Sequence, residues 1–186
     1  MRYCPESTDL ELINGCKEGD RLAQKYLYER YFGRVLGISM RYTGNKEEAV
    51  EVLNLAFLKV FENIGQFKSK GSLGGWIAKI VFNTSIDFVR SQVTYRKVMD
   101  FNTEQEVPIQ NDALDNLAVE DIFQFIQQLP AANRTVFCMY VIDGYKHQEI
   151  AEQLEISEGT SKWYLSEARK QLRHLMQHYL RSPQYI

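Results

Sequence analysis

Residues 146–173 constrain the fold of this chain more than any other stretch, because they repeat a helical pattern twice across a short break. Small and apolar side chains recur three and four residues apart in each half, which is the spacing of one buried helix face. The break covers residues 155–158 and contains Ser157, whose hydroxyl is a good N-cap for the following helix. The pattern predicts a helix-turn-helix. Its face residues are Ile150, Ala151, Leu154 and Ile156 in the first helix, and Leu165, Ala168, Leu172 and Leu175 in the second.

A helix-turn-helix has two common uses, and this segment alone leaves both open. In DNA-binding proteins the second helix enters the major groove, and the residues of its N-terminal end reach the base edges. The same motif also serves as a purely structural corner. The residues that would read DNA here are Thr160, Ser161, Lys162 and Tyr164.

The composition limits the class of protein. The 186 residues are 45% hydrophobic and 25% charged, which suffices for one sizeable core or two small ones. No window approaches eighteen apolar residues, and no basic segment precedes an apolar run near the N-terminus. We therefore expect neither a membrane span nor a signal peptide, and a cytoplasmic location. Three scattered cysteines, Cys4, Cys16 and Cys138, predict reduced thiols without a metal site.

The overall charge of −2 hides an uneven distribution. Residues 98–133 contain seven acidic side chains and neither Lys nor Arg. Residues 1–97 carry a net charge of +4, whereas residues 134–186 carry only +1. The N-terminal segment thus holds more of the basic character that a nucleic-acid binder requires.

Helical periodicity extends through most of the chain, and no segment alternates like a strand over a useful length. Thr8 is a suitable N-cap for the first helix. Residues 94–116 are polar, acidic and without periodicity, which predicts an extended linker. The sequence predicts an all-α fold of two small helical domains joined by this acidic linker. The expected helices cover residues 9–16, 21–42, 46–64, 76–92, 116–128 and 130–143, followed by the helix-turn-helix.

The helix predicted at residues 46–64 has an apolar face too wide for one neighbour to cover. A protein partner would explain this width, and burial inside a bundle of three or four helices would explain it equally well.

Residues 59–97 combine seven basic side chains with aromatic rings and only two acids. Cations for phosphates and flat rings for bases are what a single-stranded nucleic-acid surface needs. A solvated cationic face over a core tryptophan would have the same composition. The bases are Lys59, Lys68, Lys70, Lys79, Arg90, Arg96 and Lys97, and the rings are Phe67, Trp76, Phe82 and Tyr95.

Motifs in a fixed order along nearly the whole chain resemble those of one family, the extracytoplasmic-function RNA polymerase sigma factors of the sigma-70 type. Residues 47–61 resemble the helix that docks on the polymerase clamp helices. Residues 71–90, with Gly71, Ser72, Leu73 and a Trp76-Ile77-Ala78-Lys79 run, resemble the stretch that opens and reads the minus-ten element. Residues 129–172 are similar to the domain that reads the minus-thirty-five element.

The resemblance implies domains, partners and site residues. Residues 1–97 would bind core RNA polymerase and open the minus-ten element, residues 98–116 would be the linker, and residues 117–186 would recognise the minus-thirty-five element. Promoter DNA and an anti-sigma factor are further implied partners; no cofactor, metal or catalytic residue is implied. The implied contacts are Trp76, Lys79, Asn83, Asp87 and Arg90 for the minus-ten element, Thr160, Ser161, Lys162, Tyr164 and Arg169 for the minus-thirty-five element, and Glu48, Glu51, Asn54 and Phe57 for polymerase.

The chain also departs from the family pattern. Asn54 and Leu55 stand where a Gln and an acid are usual, which removes a charge from the docking helix. Glu155 occupies a turn position that is typically Gly, at a cost on the order of 1 kcal/mol if the backbone is left-handed there. Tyr164 and Glu167 stand where family members commonly have Arg, which predicts weaker binding to phosphates. Ser161 replaces a customary Val.

Three other classes compete with a sigma subunit. A helix-turn-helix regulator acting without polymerase would leave Trp76, Asn83 and the basic segment without a role. A sigma-like interaction protein with weakened promoter recognition would explain the departures. An enzyme is disfavoured: His174 and His178 have a spacing that could bind a metal, but no Glu follows His174 as in metalloproteases and no Cys pair is near.

Overall fold

The computed structural model describes residues 3–68, 71–99 and 119–180, and all the regular secondary structure in these residues is helical. The chain divides into two compact units, Met1–Phe88 and Val89–Ile186. The predicted all-α class is confirmed.

The first unit is built from α1 (Asp9–Lys17), α2 (Arg21–Tyr42), α3 (Lys46–Asn63), a short 3₁₀ turn (Ile64–Gln66) and the N-terminal part of α4 (Leu73–Met99). Side-chain caps explain where three of these helices begin. Thr8 and Glu11 form a capping box, with the Thr8 amide donating to the Glu11 carboxylate over 2.6 Å. Asp20 accepts from the amides of Leu22 and Ala23, and Asn45 accepts from the amide of Glu48.

The core of the first unit is formed by the inward faces of its helices. Burying one such leucine, isoleucine or phenylalanine side chain stabilises the fold by about 1.5–3 kcal/mol. The fully buried members include Leu12, Leu27, Leu53, Phe57, Val60, Ile64, Ile77 and Val81.

Helix α4 is longer at both ends than residues 76–92, which the sequence predicts. It begins at Leu73 because the Ser72 hydroxyl accepts from the amide of Gly75 over 3.1 Å and so caps the first turn. It continues to Met99, so the expectation of a linker from residue 94 is wrong for residues 94–99. The remainder of the predicted linker lies outside the described residues.

The second unit contains α5 (Val119–Gln127), α6 (Ala131–Phe137), a π-helical segment (Cys138–Ile142), α7 (His147–Leu154) and α8 (Glu158–Leu180). The buried Arg134 guanidinium donates to the carbonyls of Gln127 and Leu129 and so satisfies acceptors at the end of α5. The sequence analysis did not predict the π-helical turn. The core residues include Phe125, Ile126, Leu129, Val136, Met139, Ile150, Leu165 and Ala168.

The turn between α7 and α8 has the predicted helix-turn-helix geometry. Glu155 is left-handed, with φ of 55° and ψ of 44°. Ser157 caps α8, since its hydroxyl accepts from the amide of Thr160 over 2.9 Å. The expected N-cap and the expected strained turn residue are thus both confirmed.

Candidate nucleic-acid and protein interfaces

A row of polar side chains follows one side of α4. Lys79, Asn83 and Asp87 are spaced four residues apart and are all exposed, and Arg90 follows them half-buried. The Lys79 ammonium lies 5.4 Å from the ring centre of Phe82, while the Asp87 carboxylate is 3.3 Å from the Lys59 ammonium of α3. Lys79 and Asn83 therefore offer a cation and an amide to solvent, whereas Asp87 joins two helices.

The aromatic rings of this region whose side chains the structure describes are buried or half-buried. Phe82 is buried and packs edge-to-face on Tyr42, with ring centres 5.7 Å apart. It belongs to the core because it follows Val81 on the inward side of α4. Trp76 is half-buried and packs against Phe67, with ring centres 5.5 Å apart. The Tyr95 side chain lies outside the described residues.

A cavity of about 540 Å³ opens between α1, α2 and the loop before α4. Phe67, Arg34 and Asp9 supply a ring, a cation and a carboxylate to its lining, and residues 71–74 complete the wall. No sequence pattern indicates this cavity, because its walls come from residues that are far apart in the chain.

Hydrogen bonds fix the charge of the Asp9 carboxylate in that cavity. It accepts from the Tyr31 hydroxyl over 2.6 Å and from the Arg30 guanidinium over 2.8 Å. Partial burial opposes ionisation, but these hydrogen bonds outweigh it and lower the pKa of Asp9. Burial and the bond to Asp9 raise the pKa of Tyr31 to about 12. The cavity therefore keeps an acceptor with fixed orientation at neutral pH.

The outward side of α3 carries a stripe in which two leucines and an asparagine lie between two acidic side chains. We call it the α3 stripe; its exposed members are Glu51, Asn54, Leu55, Leu58 and Glu62. Leu55 is 46% and Leu58 58% exposed, so part of the wide apolar face remains uncovered. The Asn54 side chain is oriented by a 2.7 Å hydrogen bond from the Tyr28 hydroxyl. Glu48, in the first turn of α3, is half-buried, and its carboxylate accepts from the amide of Gly44.

Phe57 does not belong to this stripe, which corrects its predicted role in polymerase binding. It is 1% exposed and packs edge-to-face on Tyr28, with ring centres 4.7 Å apart. Phe57 points to the opposite side of α3 from the stripe, so its side chain supports the core.

The N-terminal end of α8 presents most of the predicted minus-thirty-five residues. Lys162 is exposed and forms a 2.7 Å ion pair with Glu158. The Thr160 hydroxyl lies 2.8 Å from the Ser157 hydroxyl and so takes part in the cap. Tyr164 is half-buried, and Arg169 is exposed above the ring of Tyr140.

Ser161 is fully buried, which corrects its prediction as a base-reading residue. Its hydroxyl shares a 2.9 Å hydrogen bond with Nδ1 of His147, the first residue of α7. The imidazole also stacks on Tyr140, with ring centres 4.5 Å apart. Ser161 thus joins α8 to α7 by a polar contact inside the motif, rather than reaching solvent.

Trp163 was not among the predicted residues, although 58% of its surface is accessible. The neighbouring buried positions Ser161, Leu165 and Ala168 define the inward side of the helix. Trp163 lies nearly opposite that side at 100° per residue, and this periodicity could have identified it.

Two models of the sigma-70 family match the chain: the model of Sigma-70 region 2 over residues 27–94, and that of Sigma-70 region 4 over residues 120–172. Together they cover about two thirds of its length. The chain belongs to the sigma-70 family of RNA polymerase sigma factors. As a sigma factor of the extracytoplasmic-function type, it directs RNA polymerase to promoters.

Relatives match this sigma factor along almost its whole length. The RNA polymerase sigma-H factor of Pseudomonas aeruginosa is 24% identical, with 95% of this chain and 97% of that protein covered. The extracytoplasmic-function sigma factor SigW of Bacillus subtilis is 28% identical, with 87% of this chain and 92% of that protein covered. Among solved structures, the sigma factor RpoE in complex with the anti-sigma factor NepR from Bartonella quintana is 18% identical, with a TM-score of 0.48 and coverage of 82% and 96%.

Within its described residues, the sigma factor contains no helix of the length and apolar character needed to cross a membrane. Those residues also contain no cluster of three or more His, Cys, Asp or Glu side chains placed to hold a metal ion.

The His147 imidazole makes the stability of this sigma factor depend on pH. Burial, with a contribution from the Lys162 ammonium, lowers its pKa below the ordinary 6.5. The unfolded chain therefore binds a proton first as the pH falls, and the free energy of unfolding decreases below about pH 6.5. Calorimetry from pH 7.5 to 5.5 should show a falling melting temperature, with a smaller decrease in His147→Gln. Equal decreases in both proteins would contradict this assignment.

Proposed function

We propose that this sigma factor opens the minus-ten region with α4 and the adjoining cavity, docks on core RNA polymerase through the α3 stripe, and places α8 in the major groove of the minus-thirty-five element. The observation that carries the proposal is the cavity beside α4. Phe67 lines the cavity and contacts Trp76, which precedes Lys79 by about one helical turn. The cavity therefore lies next to the N-terminal end of the polar row of α4.

A cavity of this kind suits an unstacked base. Extruding a base from a duplex costs a few kcal/mol, which contacts to the flipped base must offset. The ring of Phe67 offers stacking, Arg34 offers charge to a phosphate, and Asp9 offers an acceptor to an exocyclic amine. The Lys79 ammonium and Asn83 amide would then hold the backbone and a neighbouring base of the separated strand.

Phe67→Ala tests this use of the cavity. Base stacking on an aromatic ring contributes about 1–3 kcal/mol, so we expect roughly a 5- to 100-fold loss of open complexes. Binding of the closed complex should change by less than about twofold, since the duplex form keeps its bases stacked. Permanganate reactivity measures opening, and gel shift at low temperature measures closed binding.

Phe32→Ala is the matched control, because Phe32 is also half-buried in the first unit but does not line the cavity. Equal losses of opening in the two variants would show that the effect is one of stability. Equal losses in closed and open complexes for Phe67→Ala would refute the base-holding role.

Docking through the α3 stripe rests on its exposed leucines and flanking acids. An apolar surface rimmed by charge is the usual form of a protein interface. Glu51→Lys reverses a charge within the stripe and should weaken binding to core polymerase by about tenfold, mostly at low salt. Glu152 is exposed on α7, outside the stripe. Glu152→Lys makes the same charge change there and should leave core binding unchanged. Equal affinities of the two variants, measured by fluorescence anisotropy, would refute the docking site.

We further propose that an anti-sigma protein covers Leu55 and Leu58 when polymerase is absent, because these exposed leucines otherwise remain in water. Such a partner would compete with polymerase for the α3 stripe. The proposed activity involves no covalent chemistry, since binding energy alone separates the strands. It takes place in the bacterial cytoplasm, where polymerase and promoter DNA are found.

A further inference from the structure

The outward side of α8 carries an exposed indole ring, and cations lie further along this side and on one flank of it. Trp163 and Lys170 are seven residues apart and share this side, with Ser166 and Arg173 beside them. Each of these four side chains is exposed. Leaving a tryptophan 58% accessible at the centre of a helix face costs solvation free energy unless a ligand covers it.

We infer that Trp163 is the specificity-determining residue of α8 and selects thymine in the minus-thirty-five element. The inference rests on the proposed placement of α8 in the major groove. The charge around the ring favours DNA as the occupant. Lys162, Arg169 and Arg173 lie on one flank of the outward side, Lys170 lies near its centre, and Glu167 lies on the other flank. The four cations match the phosphates along one edge of a groove, while the central apolar ring faces base edges.

The indole group matches thymine better than the other bases. Thymine presents a methyl group and the O4 acceptor in the major groove, and tryptophan offers an apolar ring and one N–H donor. Guanine presents two acceptors without an apolar group, and cytosine presents a donor that an indole cannot accept. Tyr164 supports the ring, with ring centres 5.2 Å apart.

A thymine contact by Trp163 would compensate for the unusual residues of the recognition helix. Tyr164 and Glu167 stand where family members commonly have Arg. Electrostatic attraction to phosphates therefore contributes less to DNA binding by α8 than it does in those members. An apolar contact to a thymine methyl does not depend on counterion release and therefore persists as salt rises. Specificity would come from Trp163, and salt-dependent affinity from the cations that flank it.

The test uses holoenzyme assembled from core polymerase and the full chain. Promoter DNA randomised across the minus-thirty-five region is selected with the wild type, with Trp163→Ala and with Lys170→Ala. We expect thymine at one or more positions with the wild type and with Lys170→Ala, and loss of that preference with Trp163→Ala. Deoxyuridine, which lacks the methyl group, should then weaken wild-type binding about three- to tenfold at that position and leave Trp163→Ala unaffected.

Salt titrations separate the two kinds of contact. Lys170→Ala should reduce the slope of log affinity against log salt by about 0.9, whereas Trp163→Ala should leave the slope unchanged. Retained thymine preference in Trp163→Ala, or equal sensitivity of both proteins to deoxyuridine, would overturn the inference. Loss of core binding by Trp163→Ala with unaltered base preference would identify Trp163 as a protein contact and also overturn it.

Failure of the proposed function would look different. If the wild type bound core but selected no base in the minus-thirty-five region, α8 would not read DNA, and both proposals would fall together. If the wild type selected bases other than thymine, only the role of Trp163 would fall.

Discussion

Replacing both Lys79 and Asn83 by alanine is expected to reduce promoter opening by about 100-fold, while core binding stays within twofold of the wild type. Both side chains are exposed on successive turns of α4, so their removal leaves the core intact. The variant loses the contact of Lys79 to a phosphate and the hydrogen bonds of the Asn83 amide to an unpaired base. Each of these losses should destabilise the open complex by about 1–2 kcal/mol. Permanganate reactivity of minus-ten thymines in the assembled holoenzyme measures the effect.

A control with the same chemical change is available on α1. Asn14 and Lys17 are exposed and lie one turn apart, and neither is assigned a DNA contact. The Asn14→Ala/Lys17→Ala variant should open promoters normally. Comparable losses in both double variants would show that charge, rather than the position of Lys79 and Asn83, determines opening.

The second large effect concerns stability. Phe57→Ala should destabilise the first unit by about 3–5 kcal/mol, because it removes a fully buried ring from a closely packed core. Leu58→Ala, at the adjacent but exposed position, should cost less than about 0.5 kcal/mol. Urea unfolding followed by Trp76 fluorescence, in a Trp163→Phe background, reports on this unit alone because the chain has two tryptophans.

The comparison of Phe57→Ala with Leu58→Ala also separates folding from docking. Leu58→Ala should weaken core binding without unfolding, since Leu58 belongs to the α3 stripe. Phe57→Ala should lose core binding only to the extent that it unfolds. Equal stability of the two variants would mean that Phe57 is not the core residue described.

Local chemistry predicts most helix boundaries in this chain. The α2 helix has the predicted bounds because Asp20 caps its start and a Thr43-Gly44-Asn45 sequence follows its end. The C-terminal part of α4 could not be predicted in the same way. Its apolar side chains Tyr95, Val98 and Met99 continue a helical spacing for only one turn before the acidic segment, and one turn of periodicity does not distinguish a helix end from a linker.

The direction of individual side chains was harder to predict than the helices that carry them. The apolar face of α3 is wide, and periodicity alone does not show that Phe57 points inward while Leu55 and Leu58 point outward. Ser161 was predicted to read DNA because it lies at the N-terminal end of α8, yet its position there places it against His147. The Lys79 and Asn83 row was accessible to sequence reasoning because it depends only on a spacing of four.

The cavity lay beyond sequence reasoning for a different reason. It requires α1 and α2 to meet a loop that follows α3, and only tertiary packing brings Asp9, Arg34 and Phe67 together. Long-range packing of this kind leaves no local periodic signal.

Run-off transcription by core polymerase supplemented with this protein, with permanganate footprinting of the same templates, tests whether the protein directs promoter opening. We expect transcripts only when the protein is present, from start sites where thymines become reactive about one helical turn upstream. Transcripts or reactivity identical with and without the protein, despite its binding to core at low salt, would show that it does not open promoters.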